Sequence, residues 1–305
     1  MYSYETIYSR IPFLGRPDMN QPDVTAFFDE ATCTVTYVVA DSDTRKAAIV
    51  DSVLDFDAAS GRTATHSADA VITFVRSNQL IIEWILETHI HADHLSGASY
   101  LRNELGGQTA TGKNVGAVQE TFKAIFNISE LNTDGSQFDH LFGDQDEFQL
   151  GSIAARVIAT PGHTPCCVSY VFGNAAFVGD TLFMPDFGTA RTDFPAGSAA
   201  QLYDSIQAIF ALPDETRLFM CHDYKAPGRD KFVWETSVRE QRDTNIHIND
   251  SVSKGDFVAM REKRDKELGV PKLLMPSIQV NIRAGELPAA EDNEICYLKI
   301  PLNTI

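Results

Sequence analysis

Within residues 88–94 the chain reads Thr88-His89-Ile90-His91-Ala92-Asp93-His94, directly after the apolar run Ile81–Leu86. Three imidazoles and one carboxylate at this density constrain the fold more than any other feature. A buried polar group needs its own partner, so packing alone does not explain four of them together. The residue types are those that bind transition metals. The apolar run reads as a buried strand, which puts the cluster where a strand ends and a loop begins.

Three later segments repeat that placement. Pro161-Gly162-His163-Thr164 follows an apolar strand, Gly179-Asp180-Thr181 follows Phe177-Val178, and Cys221-His222-Asp223-Tyr224 follows Leu218-Phe219-Met220. Donors held just past the ends of strands can converge, because a rigid sheet fixes them. Five of the eight histidines lie in these segments. His66, His140 and His247 stand alone in polar sequence and are expected at the surface.

The intervening sequence has the rhythm of an α/β protein. Segments 32–39 and 47–50 alternate about an acidic turn and predict a hairpin, 55–66 a loop, 68–77 a helix, 80–87 a strand and 96–105 a helix stopped by Gly106-Gly107. Short strands follow at 147–150, 153–158, 168–172 and 175–178. Helices are expected at 199–210, 233–243 and 256–268, with a strand at 217–220 between the first two. Segment 271–287 is expected to be irregular. Strands interleaved with helices favour a layered sandwich. One catalytic unit over 1–250 is expected, with 251–305 as a C-terminal helix and tail packed on it.

With 42 acidic against 25 basic residues the formal charge is −17, which argues against nucleic acid or an anionic membrane as partner. The apolar runs are too short to span a bilayer, and the first residues lack the pattern of a secretory signal, so a cytoplasmic location is expected. Five irregularly spaced cysteines make no disulfide framework, and Cys166 and Cys167 are expected to be packing residues.

The series His89-x-His91-x-Asp93-His94, His163, Asp180 and His222 resembles the metallo-β-lactamase superfamily over roughly residues 30–245. That resemblance implies an αββα sandwich, two mixed β-sheets flanked by helices, with the metal site along one edge. Within the superfamily the segment Arg191-Thr192-Asp193-Phe194, the alanine before Asp93, and Val280-Asn281-Ile282-Arg283-Ala284-Gly285 are similar to the persulfide dioxygenases. Met184-Pro185-Asp186-Phe187 and the longer tail are similar to a bacterial branch described as β-lactamase-like hydrolases. The resemblance implies one Fe(II) per chain on His89, His163 and Asp180. His91, Asp93, His94 and His222 would then orient ligands and water. It further implies glutathione persulfide and O2 as substrates, with no nucleic acid or membrane partner and a homodimer or homotetramer.

The same residues also look like the dinuclear set of glyoxalase II. There His91, Asp93, His94 and His222 would be added as ligands to two zinc ions or mixed metals, and the reaction would be thioester hydrolysis. A tripeptide with two carboxylates needs local cations in an acidic protein. Arg191, with Asp193 beside it, and the group Tyr224, Lys225 and Arg229 are the candidates for binding it. A structural bridge between Arg191 and Asp193, and plain surface charges at Lys225 and Arg229, are the competing readings.

Overall fold

The computed structural model describes residues 7–10 and 21–304. A seven-stranded sheet runs β1 (Ile7–Arg10), β2 (Asp23–Asp29), β3 (Thr34–Ala40), β4 (Lys46–Val50), β7 (Ile81–Leu86), β9 (Gln108–Gly112) and β10 (His140–Phe142). A six-stranded sheet runs in sequence order through β11 (Glu147–Leu150), β12 (Ile153–Ala159), β13 (Val168–Phe172), β14 (Ala175–Phe177), β15 (Arg217–Phe219) and β16 (Glu235–Ser237). A three-stranded sheet, β6 (Arg62–Ala64), β5 (Val53–Asp57) and β8 (Leu95–Ser96), pairs the hairpin after β4 with the strand that follows the histidine cluster. Both large sheets are mixed, since β4, β7, β9 and β10 pair in parallel, as do β14 and β15, while the other pairs are antiparallel.

Alternation in β3 shows why two faces are buried. Val35, Tyr37 and Val39 point into a core shared with Val157, Tyr170, Phe172, Phe177 and Phe219 of the second sheet. Val38 points the other way, with Ala47, Ile49 and Ile85, against Val71, Ile72 and Val75 of α1 (His66–Ser77) and Leu101 of α2 (Ala98–Leu105). The period of two puts alternate side chains on opposite faces. On the far side, Val171 and Ala176 of the second sheet pack against Leu202, Ile206 and Ile209 of α4 (Ala199–Phe210), spaced for one helix face. The layers are therefore helix, sheet, sheet, helix. The Tyr37 hydroxyl, buried between the sheets, donates to the Met220 carbonyl at 2.6 Å and so avoids the cost of an unpaired polar group.

Several sequence expectations need correction. Segment 55–66 is not simply a loop, because β5 and β6 form an antiparallel hairpin there. Segment 233–243 begins as strand β16 and becomes helical only in α5 (Val238–Thr244). Segment 271–287, expected to be irregular, holds α7 (Leu274–Asn281). Helix α3 (Val115–Phe126) lies in a stretch for which no element was read. After α5, helix α6 (Lys254–Asp265) buries Phe257 against the α4 layer. Ile278 and Ile282 join Ile90, Ala92 and Phe122 in a separate core cluster.

No helix among the described residues is long and apolar enough to cross a membrane. All five cysteines are free, with Cys166, Cys167 and Cys221 buried.

Candidate metal centre

Each candidate ligand comes from a strand end. His89, His91, Asp93 and His94 occupy the loop between β7 and β8; His163 lies between β12 and β13. Asp180 sits in a single 3-10 turn, Gly179–Thr181, after β14, and His222 follows β15. Two of these turns require glycine. Gly162 has φ +142, and a Cβ there would lie 2.4 Å from the Leu202 nitrogen. Gly179 has φ +52, and its Cβ would lie 2.5 Å from the Thr88 hydroxyl. Glycine alone combines that backbone with so close an approach.

The five histidines are buried and oriented from behind by hydrogen bonds. Tautomers follow from which neighbours can only accept. The Thr88 hydroxyl donates to the Asp51 carboxylate, so at 3.0 Å it accepts from His89 Nδ1. His163 Nδ1 donates to the Arg191 carbonyl at 2.8 Å. The Thr34 oxygen lies 3.3 Å from both His94 Nδ1 and His222 Nδ1. Its proton is directed to Thr32, which itself donates to Asp29. His89, His94 and His163 thus turn an unprotonated Nε2 inward, while His222 Nε2 faces the Asp93 carboxylate at 3.1 Å. His91 is reversed: its Nε2 faces Asp51 at 3.0 Å and Glu87 at 3.1 Å, which leaves Nδ1 inward.

Inside this ring the polar atoms lack partners. His91 Nδ1, His94 Nε2, His222 Nε2 and Asp180 Oδ1 are buried and make no hydrogen bond. Orphaned buried polar atoms are costly, and several converging on one space fit a cation that displaces any proton held there. They form two adjacent sets of metal-site dimensions, with Asp180 Oδ1 3.5 Å from His222 Nε2 between them. His89, His163 and Asp180 bring one ligand atom each within 4.8 Å of the others, and His91, Asp93, His94 and His222 do the same. The donor set of two or more imidazoles with carboxylates suits iron, zinc or manganese.

The electrostatics agree with a site awaiting positive charge. Burial lowers the affinity of His89, His94 and His163 for a proton. Burial raises the Asp180 carboxyl to about 6, against a partial pull downward from His222. Burial also disfavours the charged form of His91, but Asp51 and Glu87 outweigh it and raise its proton affinity. Asp93 is held well below the usual carboxylate range because His222 and His94 outweigh its burial. Its side chain is 24% exposed and Tyr224 is 40% exposed, so the centre opens on this side.

The expected substrate-binding residues are placed less uniformly. Tyr224 donates to Asp93 at 2.8 Å and stacks on His222, with ring centroids 5.5 Å apart. Arg191 makes two 2.6 Å bonds to Asp193 and a third to the Gly269 carbonyl. Arg229 grips the buried Asp223, with bonds of 2.6 and 2.7 Å, and also Asp186. Lys225 has its ammonium 4.1 Å from the Phe232 ring centroid. Of the three isolated histidines, His66 and His140 are exposed. His247, expected at the surface, is instead partly buried, and its Nδ1 accepts the Thr189 N–H at 3.0 Å.

Sequence reasoning missed a supporting layer of Thr34, Asp51, Glu87, Thr88 and Asn281. Asp51 also follows a strand, β4, and adopts φ +51. That strained conformation in a non-glycine residue lets one carboxylate receive Thr88 N, Thr88 Oγ1 and His91 Nε2.

Four layers with strand-end histidines and aspartates around one edge define a metal-binding αββα fold. The chain belongs to the metallo-beta-lactamase superfamily, whose family model matches residues 31–222. It is 51% identical to a "Beta-lactamase hydrolase-like protein" of Xylella fastidiosa over 97% of this chain and 68% of that one. It is 52% identical to "Glyoxylase B2" of Dictyostelium discoideum over 93% of this chain and 98% of the relative. A mitochondrial "Persulfide dioxygenase ETHE1" of Bos taurus is 31% identical over 85% of this chain and 87% of its own length. The crystal structure of ETHE1 from Myxococcus xanthus superposes with a TM-score of 0.69 at 30% identity, covering 86% of this chain and 99% of that one.

Proposed function

We propose that this chain is a non-haem Fe(II) persulfide dioxygenase that converts glutathione persulfide, O2 and water to glutathione and sulfite. The observation that carries the reading is the grouping of His89, His163 and Asp180. Two imidazoles and one carboxylate on one face are the ligand set of oxygen-using iron sites, which leaves positions open. Relatives named persulfide dioxygenase add support. The iron, when bound, supplies the oxygen chemistry.

The protein's own contribution is orientation and charge. Thr88 and the Arg191 carbonyl fix the rings of His89 and His163, and such outer contacts hold ligands in place. Tyr224 and Asp93, at the exposed side, are set to bind and orient water or the substrate's polar groups. Lys225 forms no ion pair among the described residues, so it is the cation most readily available to a glutathione carboxylate. Arg191 and Arg229 would have to share their carboxylate partners. Asp193, opposite Arg191, would set how far that guanidinium can turn to the substrate.

The second group, His91, Asp93, His94 and His222, favours a second reading, a dinuclear hydrolase of glutathione thioesters. The name of the Dictyostelium relative points the same way. Oxygen uptake with glutathione persulfide, run beside hydrolysis of a glutathione thioester, separates the two. O2 consumption with stoichiometric sulfite and one iron per chain supports the dioxygenase. Thioester cleavage without O2 uptake, on two metal ions, overturns it.

A further inference from the structure

The residues matched by the superfamily model end at 222, yet beyond Tyr224 the later chain reaches the centre at two further places. Asn281, the last residue of α7, is 3% exposed and spends its amide on the histidine loop. Its Nδ2 donates to the carbonyls of His91 and His94, each at 2.8 Å, and its Oδ1 accepts Ser96 N–H at 2.8 Å. Backbone groups of an irregular buried loop have no ladder to satisfy them, so one side chain here replaces three missing partners. The bonds span the loop from its second histidine to its third and on to β8. Gly285, just beyond α7, packs against Ser96 and Ser99, where a Cβ would meet the Ser96 carbonyl at 3.0 Å.

A second brace comes from α6. Buried Arg261 pairs with Asp265 at 2.7 Å and donates to the Thr189 carbonyl at 3.0 Å. Asp265 accepts Thr192 N–H at 2.8 Å. Residue 191, lying between these two anchors, carries the carbonyl that fixes His163.

We propose that the C-terminal segment is a template for the metal centre, with Asn281 as the positioning residue that sets the separation of His91 and His94. The inference rests on the reading of this cluster as a metal site, in which His91 and His94 serve as ligands of a dinuclear centre or orient the ligands of a single ion. The three bonds are too specific for simple packing, because Ile278 and Ile282 already supply the apolar contact.

The test is Asn281→Asp in the full chain. Aspartate keeps the acceptor for Ser96 but cannot donate to the two carbonyls. Cobalt(II) affinity by chelator competition and the visible cobalt spectrum are read beside the melting temperature of the metal-free protein. Wild-type protein should bind cobalt, and the variant should bind it at least about 10-fold more weakly with an altered spectrum, the range seen for outer-shell contacts. Ile278→Val, which loosens the same helix without touching the loop's polar groups, should lower the melting temperature and leave affinity and spectrum unchanged. If Asn281→Asp does not fold, Asn281→Ser takes its place. Wild-type affinity and spectrum in the folded variant would overturn the inference alone. Absence of cobalt binding by the wild type would overturn the metal reading, and the inference with it.

Discussion

Asp180→Asn should make the metal-free protein more stable while removing its ability to hold a metal. Asp180 is 6% exposed, and its oxygens stand 3.5 Å from His222 Nε2, 3.8 Å from His163 Nε2 and 4.0 Å from His89 Nε2. Without a metal, burial lifts this carboxyl from 3.8 to about 6. A group whose proton affinity is higher in the folded state binds more protons there. Its favourable contribution is therefore complete below pH 3.8 and lost as pH rises through 6. At about 1.4 kcal/mol per pH unit, the ionised carboxylate costs the metal-free fold roughly 3 kcal/mol at pH 7.5.

Asparagine has the same shape and no charge. The metal-free variant should therefore melt roughly 4–6 °C above the metal-free wild type at pH 7.5, from about 1.5–2 °C per kcal/mol at about 2.1 cal/mol/K of unfolding entropy per residue. At pH 4.5 the gap should shrink to about a third. Calorimetry on chelator-treated proteins measures this, and elemental analysis after metal loading measures the second half. Loaded wild type should regain stability by mass action, and the variant should not. A metal-free variant no more stable than wild type at pH 7.5, or one holding stoichiometric metal, would refute the reasoning.

Other perturbations test the surroundings of the centre. Arg191→Ala should raise KM for glutathione persulfide, by up to the roughly 10- to 150-fold that a charge-assisted bond of about 1.5–3 kcal/mol commands, with iron content unchanged; unchanged kinetics with a lower melting temperature would assign Arg191 wholly to Asp193 and Gly269. Tyr224→Phe keeps the ring stacked on His222 but loses the bond to Asp93, so kcat/KM should fall about 5- to 30-fold for the loss of about 1–2 kcal/mol, which steady-state oxygen uptake would detect. His247 is lowered from 6.5 to about 4 by burial, then by Arg261 and Arg264. Here the unfolded chain binds the proton first, so stability is complete above pH 6.5 and is lost as pH falls toward 4. Because the ring is only partly buried, screening leaves a loss of about 1–2 kcal/mol. His247→Gln should flatten the melting profile over that window, and an unchanged slope would exclude the histidine.

How far the centre could be read from sequence follows from how each residue is held. His89, His91, Asp93, His94, His163, Asp180 and His222 were legible because strand ends place ligands in short polar clusters after apolar runs. Asp51 follows the strand Lys46–Val50 in the same way, but one carboxylate in a polar turn carries no spacing signal. The folded chain alone shows its φ of +51 and its bond to His91. Segment 235–237 was read as helix because three residues, with only Thr236 fully buried, are too few for alternation to declare itself. Helix Leu274–Asn281 was missed for the opposite reason. Its polar Ser277, Gln279 and Asn281 are buried along with Leu274, Ile278 and Val280, so no amphipathic stripe marks it. Pro276 in its first turn also reads as a breaker, although the lost N–H has no helical partner there.

The same physics explains why His247 was misplaced and Asn281 overlooked. Each is a single polar residue whose partners lie 58 and 185–190 positions away. Local composition fixes neither burial nor partner at such separations. The ligands instead sit at strand ends, each marked by the apolar run before it, and one such end delivers four of them. The groups that hold those ligands have to approach from outside the ring, and so come from whichever element the fold packs behind it. Here these are the strands Thr34–Ala40 and Lys46–Val50 and the C-terminal helices. Changes to this outer layer should therefore act on metal affinity through loop geometry, while changes within the ring act on the ligand set itself.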